Sequence, residues 1–176
     1  NVSTSVDNSL GVAVENDSTI NSFTVSNITP VSIGSGNTLS GAIGVTAGSI
    51  KLINTGTLAS TVSMSGGTTL DADNSLTISG ALTQSGDITI DVLGDQTLSY
   101  LGPSISIGTS TLSLSGGGTF ANTNSLVLDN AASKLLLSSI TVESVSTLLD
   151  NSLGVEVEND SRINSFAVAN ITPVSI

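Results

Sequence analysis

Residues 74–94 read NSLTISGALTQSGDITIDVLG. Leu76 and Ile78, and then Ile88, Ile90 and Val92, occupy alternate places with Thr or Asp between them. A period of two puts the apolar side chains on one face of an extended chain and the polar ones on the other, which is the signature of a β-strand. Gly80, Gly86 and Gly94 break the alternation in the company of Ser and Asp, residues that accept turn geometry. The phrase recurs in both directions, as GSIKLIN (48–54) and STVSMSG (60–66) before it and as PSISIG (103–108), STLSLSG (110–116) and NSLVLDN (124–130) after it. NAASKLLLSS (130–139) comes nearest to helical spacing, and its strand-like neighbours on both sides make it a strand as well.

A coarser rhythm groups these strands. A polar residue followed by an apolar one recurs at Ile20, Leu39, Leu58, Ile78, Leu98, Phe120, Ile140 and Ile163. The steps are about 20 residues each, the size of one coil of a β-solenoid with two or three short strands joined by tight turns. A longer period contains the shorter one. Val2–Ile33 aligns without a gap to Val145–Ile176, each position n matching n + 143, and the two are identical at 26 of 32 positions. Seven steps fill that offset. The expected fold is therefore all-β: a parallel β-helix (β-solenoid) of about 20 residues per coil, running as one continuous segment over 1–176. In this reading 2–33 and 145–176 are two copies of one repeat in a longer tandem array. No capping segment is visible at either end, which points the same way. Two of the differences between the copies, Ala13/Glu156 and Thr19/Arg162, introduce charge, so both positions are expected to face solvent. Pro30 and Pro173 lack a ladder donor and are expected at a corner or a strand start.

Composition supports a narrow, regular interior. The chain has no Trp, one Tyr and three Phe, whereas Ser and Thr together number 54 and Gly 18. Its apolar supply is Val, Ile, Leu and Ala, side chains that suit a pleated surface. An antiparallel β-sandwich is the competing arrangement, but sandwiches draw on a larger set of big side chains.

The net charge of −11, with Lys51, Lys134 and Arg162 as the only cations, argues against nucleic acid and anionic lipid as partners. No apolar run reaches the length of a membrane span. Without Cys or His there is no disulfide, no thiolate or imidazole metal ligand and no Ser/His/Asp arrangement. A Ser–Lys pair would have to use Lys51 or Lys134. Carboxylates are grouped at Glu15 and Asp17, at Asp71 and Asp73, at Asp87 and Asp91, at Asp95, and at Glu158 and Asp160. Asp71, Asp73 and Asn74 look like a fragment of an oxygen-rich Ca²⁺ loop, so Asp71, Asp73, Asp87 and Asp91 are the candidate calcium ligands. A complete loop with its Gly and terminal Glu is missing, and no cofactor is expected. Solvated turn carboxylates that keep the molecule soluble are the simpler account. Carboxylate-pair cleavage of polysaccharides and a carbohydrate- or Ca²⁺-dependent binding module are the alternatives. Thr-x-Thr phrases that could order water on a flat face occur at 55–57 and 109–111, without recurring at coil spacing. Glycosylation sequons at Asn1, Asn16, Asn27, Asn159 and Asn170 follow from composition.

STLSLSGGGTF (110–120), NSLTISGALTQSGDITI (74–90) and GSIKLINTGTLAST (48–61) resemble the strand-turn phrases of large repetitive bacterial surface β-helix proteins, the filamentous-haemagglutinin-like exoproteins and autotransporter-passenger adhesins. The resemblance implies an extracellular, elongated, right-handed parallel β-helix that forms a filament or mediates cell adhesion at the bacterial cell surface. Its partners would be further copies of itself and host-cell or extracellular-matrix surfaces. The resemblance carries over no catalytic residue, so a structural and adhesive role without enzymatic activity is the expected function.

Overall fold

The computed structural model describes residues 3–6, 11–53, 55–150, 152–165, 167–168 and 173–176; of these, side chains are described except at 3–6 and 144–146. All the regular structure in them is strand. The strands form two sheets around a single apolar core, one of 13 strands and one of nine. Every pairing between these strands is parallel, and each strand pairs with the coil before and after it rather than with its sequence neighbour. That is a parallel β-solenoid. A typical coil runs Thr61–Ser65 in the larger sheet, Thr68–Ala72 in the nine-stranded sheet, and then returns as Leu76–Ile78 to the larger sheet one level further on. Coil length varies along the axis: Val12 pairs with Val31, a step of 19, and Ile88 with Leu112, a step of 24. The stretch 130–139 contains the strand Lys134–Ser138.

Alternation becomes burial in each strand. In Ile88–Val92, Ile88, Ile90 and Val92 are at most 2% exposed while Thr89 and Asp91 face outward. Ladder pairing then stacks like on like: Ile50, Leu70, Ile90, Leu114, Leu137 and Val157 form one interior column. Each fully buried aliphatic side chain in it contributes about 1.5–3 kcal/mol relative to exposure, and no coil could bury its own without the next. Two of the buried aromatics meet in adjacent coils, with the Tyr100 and Phe120 rings stacked at 6.3 Å. The Tyr100 hydroxyl accepts the Leu82 N–H at 3.1 Å, so the one buried phenol is tied to the preceding coil. Corners are closed by buried hydroxyls that donate to nearby carbonyls, as Thr68 does to Ser65 O at 2.6 Å.

Four expected column neighbours are displaced by two positions, among them Ile163, which lies on Val142 rather than Ile140. Leu39 stacks on Ser18 rather than Ile20, Leu98 on Leu76 rather than Ile78, and Val142 rather than Ile140 lies on Phe120. Leu39, Leu58 and Ile78 do share a column, as do Leu98 and Phe120. A shift of two leaves every side chain on its own face of the strand, so alternation alone cannot fix the register at that level. SLTISGAL (75–82) is also two strands, Leu76–Ile78 and the start of Leu82–Ser85, separated by a corner.

Each copy of the repeat pairs with the coil that follows it in the same local register, although along the nine-stranded ladder Val12 shares a column with Ala72 and Val155 with Thr68, four positions apart. Ser5 pairs with Thr24 and Leu148 with Ala167; Val12 pairs with Val31 and Val155 with Val174. Each second pair is the first with 143 added to both numbers. Gly11 and Gly154 carry φ of +108° and +90°, and a Cβ would lie 2.3 and 1.8 Å from the carbonyl oxygens of Pro30 and Pro173 respectively. Pro173 precedes a strand of the nine-stranded sheet, and Pro30 is the second residue of another, next to the corner. Ala13, Thr19 and Arg162 are exposed, and Glu156 points outward to an ion pair with Lys134. What differs is cover: Val25, Val31 and Ile33 are 0–3% exposed, whereas Val168, Val174 and Ile176 are 50%, 44% and 103% exposed. Val25 and Val31 lie under Val45 and Leu52 of a following coil.

Candidate functional site

The outer side of the nine-stranded sheet carries the main concentration of charge. Lys51, Asp71, Asp91, Ser115, Ser138 and Glu158 follow one another in register, one per coil. Parallel pairing makes carboxylates at matched positions neighbours at roughly 4.8 Å, a repulsive arrangement. Two contacts offset it. The Lys51 ammonium lies 2.7 Å from Asp73 and 3.5 Å from Asp71, and the Ser115 hydroxyl donates to Asp91 at 2.8 Å. The hydrogen bond to Asp73 holds Lys51 above its ordinary pKa. Partial burial pushes the Asp71 carboxyl upward, opposed by Lys51 and reinforced by Asp73 and Asp91.

The four calcium candidates are thus divided. Asp71 is the ladder neighbour of Asp91 and shares the Lys51 ammonium with Asp73. Asp87, at the other end of its strand, accepts the Thr111 N–H of the next coil at 2.7 Å. Asp17 does the same for Thr38 at 2.8 Å, so these turn carboxylates tie one coil to the next. Asp95 sits in an exposed turn at φ +64°, and Glu15, Glu158 and Asp160 are exposed. Among the described residues no three acidic side chains converge as a metal-ligand set. Both lysines that a Ser–Lys pair would need are engaged in ion pairs. The Thr-x-Thr phrases fall on different sheets, Thr57 in the larger and Thr111 in the smaller. Asn16, Asn27 and Asn159 are exposed at corners, while Asn1 and Asn170 lie outside the described residues.

This geometry defines a repetitive parallel β-solenoid whose charged groups join coils and solvate its surface. Comparison with family models, with curated proteins and with solved structures finds no match to this chain.

The raised Asp71 pKa has a signed consequence. A carboxyl that binds its proton more tightly in the folded than in the unfolded chain favours folding at low pH. That increment is lost as pH rises from the ordinary 3.8 through the raised folded value. Asp71→Asn is therefore expected to raise the melting temperature at pH 7 by about 1–3 °C, since Lys51 keeps Asp73. The same variant flattens the acid limb of the stability profile. Thermal melts from pH 3 to 7 check both effects, and a lowered melting temperature at pH 7 would show that the Lys51 pair outweighs the burial of the carboxylate.

Proposed function

We propose that the chain is a structural and adhesive repeat module of a long extracellular bacterial protein, forming a rod, stalk or fibre at the cell surface without catalysis. One observation carries this reading. The long period of the sequence spans seven coils, and the strand register at its second occurrence repeats that at its first, with Val12 on Val31 and Val155 on Val174. The second unit meets its following coil through the same local pairing as the first, which supports a core continued from unit to unit, while the nine-stranded ladder slips four positions along the strand over the seven coils. The aliphatic columns and coil-to-coil hydrogen bonds supply stiffness in a chain that has no Cys with which to cross-link. The acidic surface favours solubility, and the strand-turn phrases shared in style with bacterial surface adhesins support the location.

Concatemers of residues 2–144, joined two, four and six times, test the reading. Seven coils at the parallel-strand spacing advance the axis by ~34 Å, so each added unit should lengthen the particle by that amount. Electron microscopy and small-angle scattering read the increment directly. A string of jointed, separately folded particles would overturn the proposal.

A further inference from the structure

One part of the larger sheet is free of charged and large outward side chains over five coils, and the adjoining column Thr38, Thr57, Thr77, Ser99 and Ala121 continues that character. In five successive coils an inward-facing pair is flanked by three outward positions: Phe23/Val25, Ile43/Val45, Val62/Met64, Leu82/Gln84 and Ile105/Ile107. The outward triplets over 22–26, 42–46, 61–65, 81–85 and 104–108 read Ser-Thr-Ser, Ala-Gly-Thr, Thr-Ser-Ser, Ala-Thr-Ser and Ser-Ser-Gly. All fifteen are Ser, Thr, Ala or Gly, in a chain with 14 carboxylates and three cations. Ladder pairing places Thr24, Gly44, Ser63 and Thr83 in one outward column. The Thr83 hydroxyl bonds to that of Ser63 at 3.1 Å across the coils. Relief is low: the depression at Gly44, floored by Met64 and Gln84, holds about 210 Å³. In the next coil the pattern ends, with Val127 and Asp129 in the outward places.

We infer that this uncharged panel is a lateral docking face for a second copy of the same chain. Charge argues for it first. Two chains of net charge −11 repel wherever carboxylates meet, and the panel is a surface on which two copies can touch without that repulsion. Shape argues for it second. Sheets packed face to face lie ~10 Å apart, and small side chains on a common lattice allow that approach. Ordering short hydroxyl side chains also loses little rotamer freedom compared with Lys or Glu. Area sets the strength. Five coils by three alternate positions cover roughly 24 Å by 20 Å, so a pair buries about 1,000 Å² in total, the lower edge of specific interfaces. One chain should thus pair weakly. In the tandem rod proposed for the chain, the panel returns once per repeat, and the weak contacts act together along two rods.

The absence of Cys allows a direct test on the intact chain. Ser63→Cys lies at the centre of the panel, and Ala13→Cys is an exposed control on the nine-stranded sheet, away from it. Under mild oxidation the panel cysteine should form disulfide-linked dimers roughly tenfold faster than the control, through the higher effective concentration at a docked face. Adding Thr83→Asp to Ser63→Cys should bring the rate down to that of the control with an unchanged melting temperature. Raising ionic strength should speed the reaction by screening the repulsion elsewhere. Equal rates for the two cysteines, or a wild-type chain that stays monomeric in sedimentation at millimolar concentration, would overturn the inference. Shaping of ice crystals by that monomer would reassign the panel to ordered water. None of these outcomes touches the concatemer length, so lateral pairing and the rod reading can fail separately.

Discussion

Replacing Ile90 by aspartate is expected to destroy the central coils, lowering stability by more than about 4 kcal/mol, whereas Asp91→Ile, at the next position, should change it by less than about 1 kcal/mol. Ile90 is 0% exposed and stacked between Leu70 and Leu114. A carboxylate there would have no cation and no donor in reach of an aliphatic column, and its desolvation exceeds what one coil contributes. Asp91 points the other way, between Asp71 and Ser115, where an aliphatic side chain relieves like-charge stacking and loses one hydrogen bond. Because coils contact only their neighbours, the Ile90 variant should also split the melt into two segments, on either side of the lesion. Circular dichroism melts with hydrogen exchange read both results. Tolerance of Ile90→Asp would show that this strand is turned the other way.

Gly41→Ala is the second large effect, expected to cost more than about 3 kcal/mol for the addition of a single methyl group. Gly41 holds φ at +129°, and a Cβ there would lie 1.7 Å from the Ile20 carbonyl oxygen of the preceding coil. The cause is a bulge: between Ile20 and Phe23 the lower strand has one residue more than Gly41 to Ile43 above it. The bent backbone presses its carbonyl into the space where a side chain would begin. Gly36 is the control. Its φ is +78° but nothing lies within 4 Å of its Cβ position, so Gly36→Ala should cost only the backbone strain, about 1–2 kcal/mol. Urea denaturation of the two variants compares them. Equal costs would mean that the clash is relieved by a small movement of the bulge.

The alternation in residues 74–94 and the return of 2–33 at 145–176 made the coil, its length and its inward-facing residues legible, because both depend only on local period. Register was harder. Leu98 could stack on Leu76 or Ile78 with every side chain on the same face, and the choice is made by corner lengths that alternation does not encode. The acidic groups were visible as residues, but their roles were not. Asp87 and Asp17 serve strands more than 20 positions away, and Lys51 meets Asp71 and Asp73 only once two coils are stacked. The uncharged panel was hidden for the same reason. Its triplets are ordinary turn-like phrases until the register sets five of them side by side. Reading the residues that flank each inward-facing pair, coil by coil, is the signal that would have found it.

The hydrogen bonds between coils run along the axis of the solenoid, and this decides how such a molecule answers a pull. Tension on the two ends loads those bonds lengthwise and frees coils one after another instead of shearing a whole sheet at once. A coil adds ~4.8 Å to the folded length but releases roughly 65 Å when its chain is drawn out. A solenoid loaded this way is short at rest and yields in small steps, with the coil that carries Tyr100, tied to the preceding coil by its phenol and stacked on Phe120 of the next, placed to give way after the purely aliphatic ones.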